Sequence, residues 1–158
     1  MSSSPEQSGV APEPTAIDKQ TSSTPTPDKE VRHLLVEDNR INQIICLKAF
    51  KNLGLPCHTA ENGKEAVDIY KADPERYRFI LMDLSMPIMG GIAASREIRE
   101  HEKEHGLQPA VIVALLVSST GADDPNGEKA KVEGGMNAMI EKPILSGPLK
   151  ALLESYPI

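Results

Sequence analysis

Tryptophan is absent from the 158 residues, and three tyrosines and two phenylalanines supply all the aromatic surface. So sparse a set offers no platform for stacking successive nucleic-acid bases. Lys and Arg number 17 against 23 Asp and Glu, and they form no basic stripe. The formal net charge of -6 works against nonspecific nucleic-acid binding. No apolar run approaches the ~20 residues of a membrane-crossing helix. The N-terminus lacks the apolar core of a secretory signal. Only two cysteines are present, Cys46 and Cys57, and they lack metal-ligand spacing. They read as reduced thiols of a cytoplasmic protein.

What is present is ordinary for one folded domain: 25% charged and 39% hydrophobic residues on a chain long enough for a core. Residues 1–30 are the exception. Ser2-Ser3-Ser4-Pro5 and Thr21-Ser22-Ser23-Thr24-Pro25-Thr26-Pro27 bury too little apolar area to offset the entropy of ordering them. This stretch is expected to be a disordered tail or linker, with the folded domain over 31–158.

From residue 31 the pattern alternates. Val31–Val36 is predicted as a first strand. Asn39 caps a helix with Ile41, Ile44, Ile45, Ala49 and Leu53 on its apolar face, ended by Gly54. Pro56–Ala60 reads as strand two. Asn62 opens a helix that turns Ala66, Val67 and Tyr70 inward. Arg78–Met82 reads as strand three, and Gly90 or Gly91 opens a helix to about Glu104. Ala110–Val117, apolar on both faces, reads as a central parallel strand. Glu128–Glu133 leaves room only for a short, mobile fourth helix, and Asn137–Glu141 is the fifth strand. Pro148 is tolerated in the first turn of a last helix carrying Leu149, Leu152, Leu153 and Tyr156.

Five strands alternating with helices imply an α/β fold with a parallel sheet covered on both faces. By analogy with flavodoxin-like (βα)5 folds, the strand order is expected to be 2-1-3-4-5. That order makes strands one and three neighbours. Glu37 and Asp38, just after strand one, then meet Asp83, just after strand three, at the carboxyl edge of the sheet where ligands bind.

Two ionised carboxylates ~4 Å apart repel by about 4 kcal/mol at an effective dielectric near 20. Three in one pocket must be protonated in part, kept apart or neutralised by a cation, and a hard divalent ion meets the need. Mg²⁺ suits oxygen ligands and shares its shell readily with phosphate. The expected ligands are Asp38, Asp83 and the backbone carbonyl of Ser85, with Glu37 acting through a water. Lys142, beside Pro143 at the end of strand five, reaches the same rim. It is expected to pair with Asp83 in the empty site and with a phosphoryl oxygen in the occupied one. A metal, a lysine and a carboxylate nucleophile suit phosphoryl transfer. Singly, each of these residues is more often a turn former, a cap or a strand end. It is their order on a five-unit pattern that carries the reading.

The chain resembles the receiver domain of two-component phosphorelays. The matching segments are Leu34-Leu35-Val36-Glu37-Asp38-Asn39, Ala60-Glu61-Asn62-Gly63-Lys64-Glu65-Ala66, Leu81-Met82-Asp83-Leu84-Ser85-Met86-Pro87-Ile88-Met89-Gly90-Gly91 and Glu141-Lys142-Pro143-Ile144. The segment around Asp83 and the Ser/Pro-rich tail look most like C-terminal receivers of fungal hybrid histidine kinases. The resemblance implies that Asp83 accepts a phosphoryl group from a phosphohistidine, that Glu37 and Asp38 serve Mg²⁺, and that Lys142 touches the phosphoryl group. It implies a histidine phosphotransfer protein or a histidine kinase domain as partner, docking on the first helix and the loop after strand five. The apolar patch it would cover is expected around Ile41 or Ile144.

Three positions depart from the family. Leu116 stands where a Thr or Ser is usual, Met139 where an aromatic residue is usual, and Gly90 where an Asp is common. Ser118, Ser119 or Thr120 are alternative sources of the missing hydroxyl. These departures motivate a second reading, a pseudo-receiver that only binds protein. A small-molecule phosphatase using Asp83 is disfavoured, because Ser85 stands where such enzymes carry a second Asp. No residues remain after the last helix for a DNA-binding module.

Overall fold

The computed structural model describes residue 30, residues 32–117 and residues 125–158. The chain divides into two units, Met1–Glu30 and Val31–Ile158. Residues 1–29 of the expected tail lie outside the described residues, as do Val31, Ser118, Ser119 and Thr120.

Five strands and five helices alternate in the second unit: β1 Arg32–Val36, α1 Arg40–Asn52, β2 Cys57–Ala60, α2 Gly63–Ala72, β3 Tyr77–Asp83, α3 Gly91–His105, β4 Val111–Val117, α4 Pro125–Gly134, β5 Ala138–Lys142 and α5 Ser146–Ser155. The strands form one parallel sheet in the order β2-β1-β3-β4-β5. This is the expected flavodoxin-like arrangement, and it sets β1 beside β3.

The period-2 alternation of the strands sorts the core into two layers. Leu34, Val36, Ile80, Met82, Ile112, Ala114 and Leu116 pack with residues of α2, α3 and α4, among them Ala66, Tyr70, Ile98 and Ala130. Leu35, Phe79, Leu81, Val113 and Leu115 pack with Cys46, Ala49 and Phe50 of α1 and Leu149 of α5. Phe79, Ile80, Leu81 and Met82 are all fully buried. That accounts for β3 reading as an unbroken apolar run.

Helix starts follow their cap chemistry. The Asn39 side chain accepts from the Asn42 amide, and the Asn62 side chain accepts from the Glu65 amide. Glu65 reaches back to the Glu61 amide at 2.6 Å. The first helix closes at Leu53, and Gly54 follows at φ 73. A left-handed residue there costs glycine nothing.

Three expectations are corrected. The buried face of α1 carries Gln43, Cys46, Ala49 and Phe50, and it leaves Ile41 and Ile44 67% and 57% exposed. The helix has two apolar stripes, and the sheet takes the one with the aromatic ring. Helix α4 starts at Pro125, not Glu128, and its ten residues equal α2 and α5 in length. Proline suits a first turn, where its missing N–H has no partner to lose. Ile144 is buried against α1 and α5, so Leu145, not Ile144, is the exposed residue of the β5–α5 loop.

Candidate functional site

The register decides which side chains meet. Val36 lies opposite Met82, so Glu37 and Asp83, the next residues, leave the sheet at the same level. Glu37 is in phase with Leu35, Asp83 with Leu81, and Lys142 with Ile140, so all three share the α1–α5 side of the sheet. Carboxylate oxygens of Glu37, Asp38 and Asp83 all lie within 4.8 Å of one another. Glu37 and Asp83 are buried, and Asp38 is exposed.

Lys142 closes this group. Its Nζ lies 3.1 Å from Glu37 Oε1 and 3.4 Å from Asp83 Oδ1. The expected ion pair with Asp83 is therefore present, but the closer partner is Glu37. Glu37 is fixed from two further directions. The Asn39 amide donates to its Oε2 at 3.0 Å, and Gln43 Nε2 donates to its backbone carbonyl at 2.6 Å. Burial pushes the Glu37 carboxyl above its ordinary range; the Asn39 amide opposes this, the Asp83 charge adds to it, and Lys142 pulls it back. Burial alone would lower the Lys142 ammonium, but the charges of Asp83 and Glu37 outweigh it, and its pKa is raised.

The loop after Asp83 is held tightly against the next helix. The Gly91 amide donates to the Leu84 carbonyl at 3.0 Å. A Cβ on Gly91 would stand 2.1 Å from the Asp83 carbonyl oxygen. Only glycine permits this approach. Ile88 turns the loop at φ 72 with its side chain 82% exposed, and the Met89 amide bonds the Pro87 carbonyl at 2.7 Å. Ser85 is an exposed residue of this loop, two places after Asp83.

Leu116 and Met139 sit apart from the acidic group but close to each other. Leu116 is out of phase with Asp83 and belongs to the α2–α3–α4 core. A Cβ on Gly127 of α4 would stand 2.2 Å from the Met139 sulfur and 3.4 Å from Leu116 Cδ1. The two side chains thus cover the same glycine.

Sequence reasoning missed Gln43 and Gly91. Gly91 was legible only as a helix opener. Gln43 carried a signal, a polar residue on the stripe that packs with Cys46 and Ala49.

The response regulator receiver domain pattern matches residues 34–154. The chain belongs to the response regulator receiver family. It is 37% identical over 143 residues to hybrid signal transduction histidine kinase G of Dictyostelium discoideum, covering 89% of this receiver but only 4% of the kinase. It thus spans a small part of the hybrid kinases it matches, 10% of hybrid kinase K for example. Among solved structures it resembles a chain of the Saccharomyces cerevisiae co-crystal of the histidine phosphotransfer protein Ypd1 with the receiver domain of Ssk1. That match has TM-score 0.67 and 34% identity, and covers 80% of this chain and 86% of that one. It also resembles the receiver of the Pseudomonas aeruginosa sensor kinase PA1611, which holds a magnesium ion in its active-site cleft. There the TM-score is 0.64 at 31% identity, with 80% of this receiver and 97% of that chain covered. No helix among the described residues is long and apolar enough to cross a membrane.

Proposed function

We propose that this receiver is the phosphoacceptor of a phosphorelay, with Asp83 as the accepting residue. The observation that carries the reading is the gathering of three carboxylates within 4.8 Å, two of them bridged by Lys142. An Asp83 carboxylate oxygen forms a bond to phosphorus as the N–P bond of a phosphohistidine breaks. The departing imidazole keeps the electron pair and takes up a proton. Water later attacks the same phosphorus and releases phosphate, restoring the carboxylate.

The pocket's three converging carboxylates fit a hard divalent cation, Mg²⁺. Asp38, Asp83 and the Ser85 carbonyl would hold it directly and Glu37 through water. When bound, the ion neutralises the carboxylates and the incoming phosphoryl oxygens. Lys142 supplies a second positive charge on the phosphoryl group. The Asn39 amide and Gln43 keep Glu37 in place beneath it.

The donor we infer is a histidine phosphotransfer protein or a histidine kinase domain. Ile41 and Ile44 on α1 and Leu145 after β5 are exposed beside the pocket. An open groove of about 530 Å³ runs between Ile44 and Leu145, with Lys48 and Pro143 also on its walls. An apolar helical surface on the donor fits that groove. The likeness to the Ssk1 receiver, crystallised with Ypd1, supports this choice of partner. The parent protein is inferred to be a hybrid histidine kinase in the cytoplasm, a compartment that suits the free thiols of Cys46 and Cys57.

Incubation with acetyl phosphate and Mg²⁺ tests the reading by intact mass. Wild type is expected to gain one phosphoryl group that acid, base or hydroxylamine removes, as they do an acyl phosphate, and Asp83→Asn none. Equal labelling of both would remove Asp83 from the role. A wild type that takes no label from any phosphohistidine donor, yet binds partner with or without Mg²⁺, would favour the pseudo-receiver. The packing of Leu116 and Met139 over Gly127 is what keeps that second reading alive.

A further inference from the structure

Four histidines punctuate the chain. Two are engaged inside the fold: His33 Nδ1 lies 3.0 Å from the Pro56 carbonyl, and His58 bonds Arg32 and the Tyr77 hydroxyl. The other two, His101 and His105, stand one turn apart at the C-terminal end of α3. Residues four apart share a helix face, and here the ring centroids are 4.2 Å apart with the planes tilted by 39°.

That spacing suits chelation. A divalent ion takes imidazole nitrogen at ~2.0–2.1 Å, which places each ring centre roughly 3.2 Å from it; two rings at a right angle then have centres about 4.5 Å apart. His105 Nδ1 lies 3.0 Å from the His101 carbonyl oxygen. The N–H there donates to the carbonyl, so the lone pair sits on Nε2. Metal-bound histidines characteristically donate their other N–H in this way, which sets tautomer and ring orientation. His101 is half-buried with its ring edge-on to Tyr70, 6.3 Å between centroids, and His105 is exposed. Of the charged neighbours of His101, Lys71 opposes a cation, while Glu104 and Glu102 favour one.

The run His101-Glu102-Lys103-Glu104-His105 also matches the helical H-E-x-x-H pattern of zinc hydrolases. The structure separates ligands from chemistry. Glu102 is buried, and its Oε2 accepts from the Tyr70 hydroxyl at 2.9 Å and the Ala110 amide at 2.7 Å. Its Oε1 accepts from Arg99 at 2.8 Å. So fully occupied a carboxylate is a structural post tying α2 and α3 to the residue that precedes β4, not a base for activating water.

We propose that His101 and His105 form a second metal site, for a late first-row divalent cation such as Zn²⁺, Ni²⁺ or Cu²⁺, with water in the remaining positions. Paired imidazoles select these ions, as the all-oxygen pocket at Asp83 selects Mg²⁺. The two sites are remote from each other. Gly91, against Asp83, begins the helix that the histidines end, roughly 15–20 Å along its axis at 1.5 Å per residue. Bound metal would staple the last turn of α3 where Gly106 closes it.

The test is a Zn²⁺ titration of the full chain by calorimetry in excess Mg²⁺, which occupies the acidic pocket. Wild type is expected to bind one equivalent, and Zn²⁺ should raise its Tm. His101→Gln and His105→Gln should each weaken binding at least tenfold and abolish the rise in Tm, whereas Asp38→Asn should bind as wild type does. Histidine ¹⁵N spectra should show both Nε2 atoms shifting on addition of Zn²⁺. His105 is exposed, so His105→Gln keeps the test valid if His101→Gln fails to fold. Unchanged affinity in His105→Gln, or Zn²⁺ binding lost in Asp38→Asn or displaced by Mg²⁺, would overturn the proposal.

Discussion

Lys142 Nζ donates to Glu37 Oε1 at 3.1 Å, joining residues 105 positions apart in sequence. Glu37 is 1% exposed, and the Asn39 amide together with this ammonium compensates it for leaving water. Asp83 shares the same ammonium at 3.4 Å. Lys142→Met is expected to leave two neighbouring carboxylates uncompensated and cost about 3 kcal/mol of stability in the absence of Mg²⁺. Urea unfolding measures it. Millimolar Mg²⁺ should recover part of the loss, and a variant as stable as wild type without Mg²⁺ would contradict the role given to the pair.

The same burial sets a pH dependence. Because the Glu37 carboxyl is held above its ordinary 4.5, the folded chain binds this proton more tightly than the unfolded chain does. The stability it contributes is complete below 4.5 and is lost as pH rises through the raised folded value. Lys142, with its pKa raised above 10.5, stays charged throughout that window. The stability of wild type minus that of Glu37→Gln, without Mg²⁺ and at constant ionic strength, is therefore expected to fall as pH rises from about 4 to about 7. An increasing difference would show the opposite shift.

Gly91→Ala drives a methyl group to within 2.1 Å of the Asp83 carbonyl oxygen. Backbone on both sides has little freedom to yield. The cost is expected to be about 2–3 kcal/mol, near the upper end for overpacking. Because the displaced atom belongs to Asp83 itself, phosphoryl incorporation from acetyl phosphate should drop at least tenfold even at temperatures where the variant is folded.

Leu116→Thr tests whether the Leu116–Met139–Gly127 cluster mutes the response to phosphorylation. With beryllofluoride and Mg²⁺, amide shifts in wild type are expected to stay near residues 37, 38, 83 and 142. In Leu116→Thr they should spread into α4 and β5, at a stability cost of about 1–2 kcal/mol for the lost apolar packing. Wild-type shifts that already run through residues 125–142 would remove the reason for the experiment.

Ile44→Asp should alter stability by no more than about 0.5 kcal/mol, since the residue is largely exposed and outside the core. Phosphoryl transfer from a histidine phosphotransfer protein should slow at least tenfold, while labelling by acetyl phosphate is retained. Equal loss with both donors would place the defect in the pocket and not in docking.

Much of this protein was legible locally. The caps at Asn39 and Asn62, the stop at Gly54 and the apolar run ending in Asp83 are signals within a few residues of where they act. They sufficed to identify ten alternating elements. The start of α4 was misread because Pro125-Asn126-Gly127 looks like a loop by composition, whereas a proline in the first turn and a glycine beneath Met139 suit a packed helix.

The sequence by itself determined the order of strands and helices and put acidic residues at two strand ends, because periodicity and capping are short-range properties. Only the tertiary structure decided which stripe of α1 is buried. Ile41 and Ile44 compete with Cys46 and Phe50, with Ala49 common to both sets, and helical periodicity admits either; packing against Leu35, Phe79 and Leu81 of the sheet chose. Only the register of β1, β3 and β5 brought Glu37, Asp83 and Lys142 together and made Glu37 the nearer partner of the lysine. Interactions between charges depend on separation in space, and the sheet converts 105 residues of chain into 3.1 Å.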